Sequence, residues 1–272
     1  MSQPKVGVDL GGVPETLLWT LYQRAVEARR ADGVIDDPRA IELVERIDYP
    51  FEERFGSSFG QWQALRARCF DDAVSRFLRS HPDGTLVALG EGLETQFWRV
   101  DNGSAHWLSV DLPEAIALRE DLLHHGPRQR AVACSALDER WMGDVDDARG
   151  VLVTAQGLLM YFDRADAHRL IAACAERFAG GGMVFDAVPS WLATRSRRGQ
   201  LKRPGGYEPP PWLWGVDADE ERGFAAIANV GAVRPLRIPR GRGVLHGSVL
   251  PLLGRLGPAR RSLLSVFELS FR

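Results

Sequence analysis

Apolar residues at helical spacing run through the first part of the chain. A helix start at 14–15, with proline in the first turn, is followed by leucines and an alanine three or four positions apart. Proline suits that turn because its missing N–H would have no partner there. The same pattern predicts a second helix from 37–38 and a third over 61–78. We therefore predict an N-terminal helical cap over residues 1–80.

From about residue 84, short apolar runs alternate with helical stretches. Strands are predicted at 85–89, 105–110, 130–134, 151–155 and 183–185, and helices at 113–124, 164–178 and 219–228. Alternation of this length is typical of parallel β-α-β units with right-handed crossovers. Two last strands, near 233–238 and 264–271, are expected to pair antiparallel at the sheet edge. The sequence thus predicts an α/β, Rossmann-like core over 81–272 with a mostly parallel, seven-stranded sheet.

A segment at about 190–218 interrupts this alternation and is predicted to be a lid. It is rich in proline and glycine and carries Tyr207, Trp212 and Trp214. Such a composition is typical of a long loop. The aromatic side chains allow two interpretations: they wall an apolar ligand pocket, or they pack the loop onto the body of the protein.

The charge balance disfavours nucleic acid as a partner. The 272 residues include 34 basic and 36 acidic side chains, which gives a formal net charge of −2. A nucleic-acid binder needs a clustered basic face to neutralise phosphates. A basic run at 195–203 is interpreted as a solvated loop face. A small molecule is therefore the expected partner, and the sequence does not indicate an oligomeric state.

Neither a signal peptide nor a membrane span is expected. The first residues lack the charged-then-apolar layout of a leader, and no apolar run approaches the roughly 20 residues that cross a bilayer. Cys69, Cys134 and Cys174 lie far apart and show no metal-ligand spacing with histidine. We predict a cytoplasmic protein with buried, reduced thiols, no membrane partner and no metal.

The strongest local motif is a glycine turn after the first core strand. Gly90 and Gly92 flank Glu91, and glycines at such a turn let a ligand approach the backbone closely. Nicotinamide, flavin and methyl-donor sites share this turn, and the third glycine of the dinucleotide fingerprint is absent. An ordinary strand-turn-helix junction is the alternative interpretation.

Asp111 follows the second core strand, 19 residues after Gly92. An acidic side chain at this place can accept hydrogen bonds from both ribose hydroxyls of a cofactor. The alternative is an N-cap, because a helix start at Pro113 follows directly. The two roles are compatible.

Motifs in five segments occur together, in this order, in one known family: 66–72, 90–99, 107–114, 133–141 and 156–162. Over roughly residues 20–190 the chain resembles the leucine carboxyl methyltransferase family, in its bacterial branch of polyketide-type O-methyltransferases. The resemblance implies a class I methyltransferase fold and S-adenosyl-L-methionine as the methyl donor.

The resemblance also implies a site for that methyl donor. Gly90 and Gly92 would pass under its methionine part, and Arg66 or Arg68 would pair with its carboxylate, which suits the fork of a guanidinium group. Asp111 would hold the ribose. The residues implied to border the adenine are Leu112, Ser135, Ala136 and Leu137.

Catalytic candidates lie on the side of the acceptor. By resemblance, Gln156 and Gly157 would face the sulfonium and the acceptor entrance, with Tyr161 near the pocket wall. His246 is a further candidate because it lies beyond the lid, in the segment expected on the acceptor side. The chain departs from the family twice: the family usually has Glu at 156, and Asp at the position of Glu94. The first change removes a negative charge, whereas the second keeps it.

The expected activity is O-methylation of a carboxyl or hydroxyl group on a small polyketide-like or aromatic metabolite, as in secondary metabolism. A carboxyl group, whose pKa in water is about 4, needs no base at neutral pH, whereas a phenol with a pKa of about 10 does. Two alternatives remain open at this point. One is an NAD-dependent oxidoreductase that shares the glycine turn and Asp111. The other is a non-methylating or regulatory descendant of the fold, which the change at Gln156 keeps possible.

Overall fold

The computed structural model describes residues 5–8, 10, 12–56, 60–201 and 208–272. The elements of its N-terminal part are β1 (Val6–Gly7), α1 (Thr16–Ala28), α2 (Pro38–Arg46), β2 (Ile47–Asp48), α3 (Phe51–Phe55) and α4 (Gly60–Ser80). Helices α1, α2 and α4 confirm the three predicted from apolar spacing. Helix α3 and the parallel pair β1–β2 were not predicted.

Helices α1 to α3 pack on the rest of the chain through one apolar cluster, and helix α4 packs on the central strands through a second. Helix α1 contributes Leu18 and Leu21, which are fully buried, and the first cluster continues into Leu93 and Leu122 beyond the predicted boundary at residue 80. Asp37 is the N-cap of helix α2, since its Oδ1 accepts a hydrogen bond from the Ala40 backbone N–H at 3.0 Å. The division into a cap and a core at residue 80 stays a prediction.

The remaining elements alternate as expected. They are β3 (Thr85–Leu89), α5 (Gln96–Val100), β4 (His106–Asp111), α6 (Pro113–Leu122), β5 (Gln129–Ala133), β6 (Val151–Ala155), α7 (Arg164–Arg177), β7 (Gly182–Ala187), α8 (Ser190–Arg197), α9 (Ala218–Gly223), β8 (Val230–Leu236), α10 (Leu250–Leu253), α11 (Gly257–Arg260) and β9 (Ser265–Phe271). The predicted helix at 219–228 ends early, at Gly223, and continues as a single 3-10 turn.

Among the described residues, seven strands form the central sheet in the order β5-β4-β3-β6-β7-β9-β8. Strands β3 to β7 pair in parallel, and β9 pairs antiparallel with both β7 and β8. The predicted α/β, Rossmann-like fold with a mostly parallel sheet is confirmed. Because successive strands spread outwards from β3 in one direction and from β6 in the other, a crevice opens between their carboxyl ends.

The segment predicted as a lid contains helix α8, which was not expected. Residues 202–207, including Tyr207, lie outside the described residues. Trp214 is buried and stacks on Phe185 with ring centroids 6.4 Å apart, so it follows the packing interpretation. Trp212 is also buried, but it borders the cavity described below. No helix within the described ranges has the length and apolar character needed to span a bilayer.

Candidate active site

A cavity of about 390 Å³ opens at the carboxyl ends of β3, β4, β6 and β7. The predicted site residues that border it are Arg66, Gly90, Gly92, Asp111, Leu112, Gln156, Gly157 and Tyr161. They come from helix α4 and from the loops after three parallel strands. The sheet topology therefore brings together residues that are up to 95 positions apart in the chain.

The glycine turn needs its glycines for local packing. Gly90 and Gly92 have φ angles of +61° and +51°, a region that favours glycine. A Cβ on Gly90 would lie 2.8 Å from the Leu158 side chain, and one on Gly92 would lie 2.9 Å from Cβ of Leu17. The turn thus packs tightly between the loop after β6 and helix α1, while its backbone borders the cavity.

Asp111 holds the same turn. Its Oδ2 accepts a hydrogen bond from the Gly92 N–H at 2.7 Å, and its Oδ1 accepts one from the Leu112 N–H, also at 2.7 Å. Leu112 is the N-cap of α6, so the interpretation of Asp111 as the N-cap is wrong. Burial raises the pKa of this carboxyl group, against the two backbone hydrogen bonds. Each oxygen retains lone-pair capacity for a further donor.

Arg119 links the glycine turn to helix α6, of which it is part. Its NH1 donates to the carbonyl oxygens of Gly92 and Glu94 at 2.8 and 2.7 Å, and its NH2 pairs with Glu91 at 3.0 Å. Glu91 also accepts hydrogen bonds from Trp107 Nε1 and Ser109 Oγ. Sequence reasoning missed this pair. A signal existed, because Arg119 occupies the buried, core-facing side of an otherwise apolar helical pattern.

A second group of charges, which we call the buried ion network, lies beside the turn. It consists of Arg24, Asp37, Asp71, Glu94 and Arg99. Arg24 pairs with Asp37 and Glu94, and Arg99 pairs with Asp37, Asp71 and Glu94, at distances of 2.8 to 3.4 Å. Burial by itself raises the pKa of Glu94, but the guanidinium groups of Arg24 and Arg99 bring it down to about 2. The carboxyl group of Glu94 is therefore ionised at neutral pH.

Arg66 borders the same cavity, where it pairs with a carboxylate that the sequence did not indicate. Its NH1 is 2.9 Å from Oδ2 of Asp186, at the end of β7, and the other oxygen of Asp186 accepts from the Gly157 N–H. The Nε of Arg66 is buried and has no hydrogen-bond partner among the described residues. Asp186 could have been found as an acid at a strand end, by the reasoning that found Asp111.

Gln156 faces the glycine turn across the crevice. Its Nε2 donates to Oε2 of Glu94 at 2.9 Å. Its Oε1 is buried and has no hydrogen-bond partner among the described residues. Since both side chains border the cavity, the two departures from the family pattern meet at one place.

The cavity lining also has a large apolar and aromatic share. It consists of Val13, Trp19, Trp62, Met160, Tyr161, Val188, Leu192, Leu201, Trp212 and Leu264. Trp212 therefore supports the pocket interpretation of the lid, and Trp19 of helix α1 borders the same cavity. Tyr22, in contrast, stacks on Phe51 in the N-terminal cluster. Trp62 was missed, although it lies one helical turn before Arg66 and so on the same face of α4.

Some predicted residues do not border the cavity. Arg68 lies two positions from Arg66 and so on another face of α4, and of these two arginines only Arg66 borders the cavity. Ser135, Ala136 and Leu137 follow β5, the strand next to β4, and their contact with an adenine stays a prediction. His246 lies outside the cavity, with Nδ1 3.1 Å from Nε2 of Gln61, and burial lowers its pKa. Its role on the acceptor side stays a prediction.

No group of three or more His, Cys, Asp or Glu side chains within the described part of the chain is arranged to hold a metal ion. Cys69, Cys134 and Cys174 are free and buried, and burial raises the pKa of Cys69 to about 12. A thiol with so high a pKa is a poor nucleophile at neutral pH. The polar side chains that border the cavity include carboxylates, guanidinium groups and amides.

A family model described as leucine carboxyl methyltransferase matches residues 18–175, which is more than half of the chain. The chain belongs to the leucine carboxyl methyltransferase family. The resemblance found in the sequence is thus confirmed. The predicted methyl donor, S-adenosyl-L-methionine, is also confirmed, since curated relatives are named S-adenosyl-L-methionine-dependent methyltransferases.

Two curated relatives and one solved structure are similar to the chain over most of its length. The chain is 34% identical over 211 residues to the tetracenomycin polyketide synthesis O-methyltransferase TcmP of Streptomyces glaucescens, covering 77% of each protein. It is 30% identical over 204 residues to the S-adenosyl-L-methionine-dependent methyltransferase dpfgK of Gibberella zeae, covering 67% of this chain and 68% of that protein. A candidate methyltransferase of Thermobifida fusca has the same fold, with a TM-score of 0.53, 16% identity and coverage of 93% and 94%.

Gly157→Ala is expected to weaken ligand binding through Arg66. Gly157 has φ +73°, and an added Cβ would lie 2.9 Å from NH1 of Arg66, which is held by Asp186. We expect the affinity for S-adenosylhomocysteine, measured by calorimetry, to fall about 10-fold, the equivalent of one displaced charge-assisted contact. Gly180→Ala is the matched control because Gly180 has φ +79° and no atom within 4 Å of its added Cβ. Equal losses in both variants would contradict the role given to Arg66.

Proposed function

We propose that the chain is an S-adenosyl-L-methionine-dependent O-methyltransferase that acts on a carboxyl or hydroxyl group of a small aromatic or polyketide-like molecule. The observation that supports this most is the mixed lining of one cavity. It combines polar groups, which are the glycine turn, Asp111 and buried polar atoms without a partner among the described residues, with apolar and aromatic side chains. Such a cavity suits a polar cofactor beside a planar, apolar acceptor.

The polar residues of the cavity lining fit the methyl donor. Its amino-acid part presents a carboxylate and an ammonium group, which need a cation and a hydrogen-bond acceptor. Arg66 and Gln156 border the cavity with an Nε and an Oε1, respectively, that have no partner among the described residues. Asp111 has lone pairs left for two ribose hydroxyls, as proposed from its position after the second core strand.

The chemistry then depends on holding two molecules in line. S-adenosyl-L-methionine, when bound, supplies an activated methyl group. The chain's own residues bind and orient the reactants, and orientation alone can contribute about 7–11 kcal/mol to lowering the barrier. Trp62 and Trp212 border the cavity, and an acceptor bound against them would displace water, which strengthens the electrostatic interactions inside.

The carboxylates at the site favour an acceptor that is already ionised. Glu91, Glu94 and Asp186 are paired with Arg119, with Arg24 and Arg99, and with Arg66. Asp111 accepts two backbone hydrogen bonds. Since each described carboxylate that borders the cavity is engaged in this way, none of them is free to serve as a general base. A carboxyl acceptor needs no base, whereas a phenol does.

Addition of S-adenosylhomocysteine is expected to stabilise the protein, and addition of NAD is not. A ligand at 100 times its dissociation constant stabilises by about 2.7 kcal/mol, which corresponds to a rise in Tm of about 5–10 °C for a protein of this size. Thermal unfolding monitored with each compound measures the difference. A rise with NAD and none with S-adenosylhomocysteine would point instead to an oxidoreductase.

Transfer of a labelled methyl group tests the acceptor. We expect label in the esters of aromatic and polyketide-like carboxylic acids, and less in matched phenols. Each product is separated by mass and hydrolysed in mild base, since a methyl ester is cleaved and a methyl ether is not. Binding of the methyl donor without label in any acceptor of the panel would favour a non-methylating descendant of the family.

A further inference from the structure

The buried ion network has an unbalanced charge next to the cavity. Its two guanidinium groups, on Arg24 and Arg99, face three carboxylates, on Asp37, Asp71 and Glu94. Its formal charge is therefore −1. Glu94 and Arg24 both border the cavity, whereas Asp37 is buried beneath them. Because a buried charge is stabilised by a partner of opposite sign, the part of the cavity next to this network favours a cation.

The orientation of the Gln156 amide follows from the same network. Glu94 is ionised and can only accept hydrogen bonds, so the amide nitrogen of Gln156 must face Oε2 of Glu94, 2.9 Å away. The amide oxygen is then the free end. It is buried and has no hydrogen-bond partner among the described residues. A buried oxygen without a partner is destabilising, so a ligand that donates to it is favoured.

We propose that Glu94 and Gln156 act as one unit that binds the ammonium group of the methyl donor. Glu94 supplies the negative charge, and Gln156 supplies the free acceptor oxygen. The hydrogen bond from Gln156 to Glu94 holds this amide in place. This inference rests on the proposed function. It also explains the two departures from the family pattern together, because the longer side chain of Glu94 reaches Gln156 and keeps the charge that residue 156 lacks.

The two side chains are positioning residues for the ligand, and their exchange tests the unit. Glu94→Gln removes the negative charge of the carboxylate. The double variant Glu94→Gln with Gln156→Glu restores one negative charge to the pair, now at position 156. Gln156→Leu removes the free oxygen together with the amide donor to Glu94, and it leaves the ion pairs of Glu94 in place. Glu120→Gln, an exposed glutamate on α6, is the matched control.

Calorimetry with two compounds separates this unit from the rest of the site. S-adenosylhomocysteine carries the ammonium group, whereas 5′-methylthioadenosine lacks the whole amino-acid part. We expect Glu94→Gln to lower the affinity for S-adenosylhomocysteine about 10–100-fold and Gln156→Leu to lower it about 3–10-fold. The double variant should return to within about 5-fold of the parent protein. The affinity for 5′-methylthioadenosine should stay within about 2-fold in every variant.

The outcomes distinguish this proposal from the proposed function. Unchanged affinity for S-adenosylhomocysteine in Glu94→Gln and in Gln156→Leu would overturn the ammonium site alone. A parallel loss of affinity for 5′-methylthioadenosine would also overturn it, because the variants would then act through the shape of the glycine turn. Binding of neither compound by the folded parent protein would overturn the proposed function as well. Gln156→Leu keeps the test open if Glu94→Gln fails to fold, since it leaves the ion pairs intact.

Discussion

Replacement of Arg119 by methionine is expected to destabilise the protein by about 3–5 kcal/mol, because it leaves a buried charge without its partner. Arg119 is fully buried and pairs with Glu91, which has a relative exposure of 8%. The variant also removes the donors to the carbonyl oxygens of Gly92 and Glu94. Since total stabilities of about 5–15 kcal/mol are usual for folded domains, this loss would be a large part of the free energy of unfolding.

Urea unfolding of matched variants measures this loss. Arg130→Met is the control because Arg130 forms an exposed pair with Asp144, and such pairs contribute only about 0–1 kcal/mol. The double variant Glu91→Gln with Arg119→Met should recover at least about 1 kcal/mol, since it removes the uncompensated charge. An Arg119→Met protein as stable as Arg130→Met would contradict the role given to the pair.

The parts of the fold that the sequence predicted are those with strong local patterns. The strands Thr85–Leu89 and Val151–Ala155 agree with the prediction at both ends, because each is a central strand buried on both faces and so a continuous apolar run. Helix α3 has five residues, too few to show a period of about 3.6. Its position depends on contacts of Phe51 and Phe55 with Tyr22 in helix α1, which no local pattern contains.

In the candidate site, too, residues in local motifs were predicted and residues placed by long-range contacts were not. The family motifs gave Arg66, Gly90, Asp111 and Gln156, all of which border the cavity. The arginines of the buried ion network were missed because a helical Arg normally lies on the exposed face, and the positions of its partners in the fold decide otherwise. Arg24, for example, is buried through contacts with Asp37 and Glu94 and with the carbonyl oxygen of Leu93, up to 70 positions away. His246, which was proposed from its position after the lid alone, does not border the cavity.

Asp111→Asn is expected to lower the affinity for S-adenosylhomocysteine about 100-fold or more. Each carboxylate oxygen already accepts one backbone N–H, from Gly92 or from Leu112. An amide has one acceptor oxygen, so the variant must turn an NH2 group towards one of these N–H donors. The same change removes the charged acceptor proposed for the ribose hydroxyls, and hydrogen bonds to charged groups contribute about 1.5–3 kcal/mol each. Both effects act on the glycine turn and its ligand together.

An analogue separates the two effects. Calorimetry with S-adenosylhomocysteine and with its 2′-deoxy form gives the contribution of one ribose hydroxyl in the parent protein and in Asp111→Asn. If Asp111 holds that hydroxyl, removing it should lower the affinity about 10-fold or more in the parent protein and hardly at all in the variant, since the partner is already lost. Asp121→Asn, at an exposed position near the end of α6, is the matched control. An equal loss in parent and variant would mean that Asp111 shapes the turn but does not contact the ribose, because the two groups would then contribute independently.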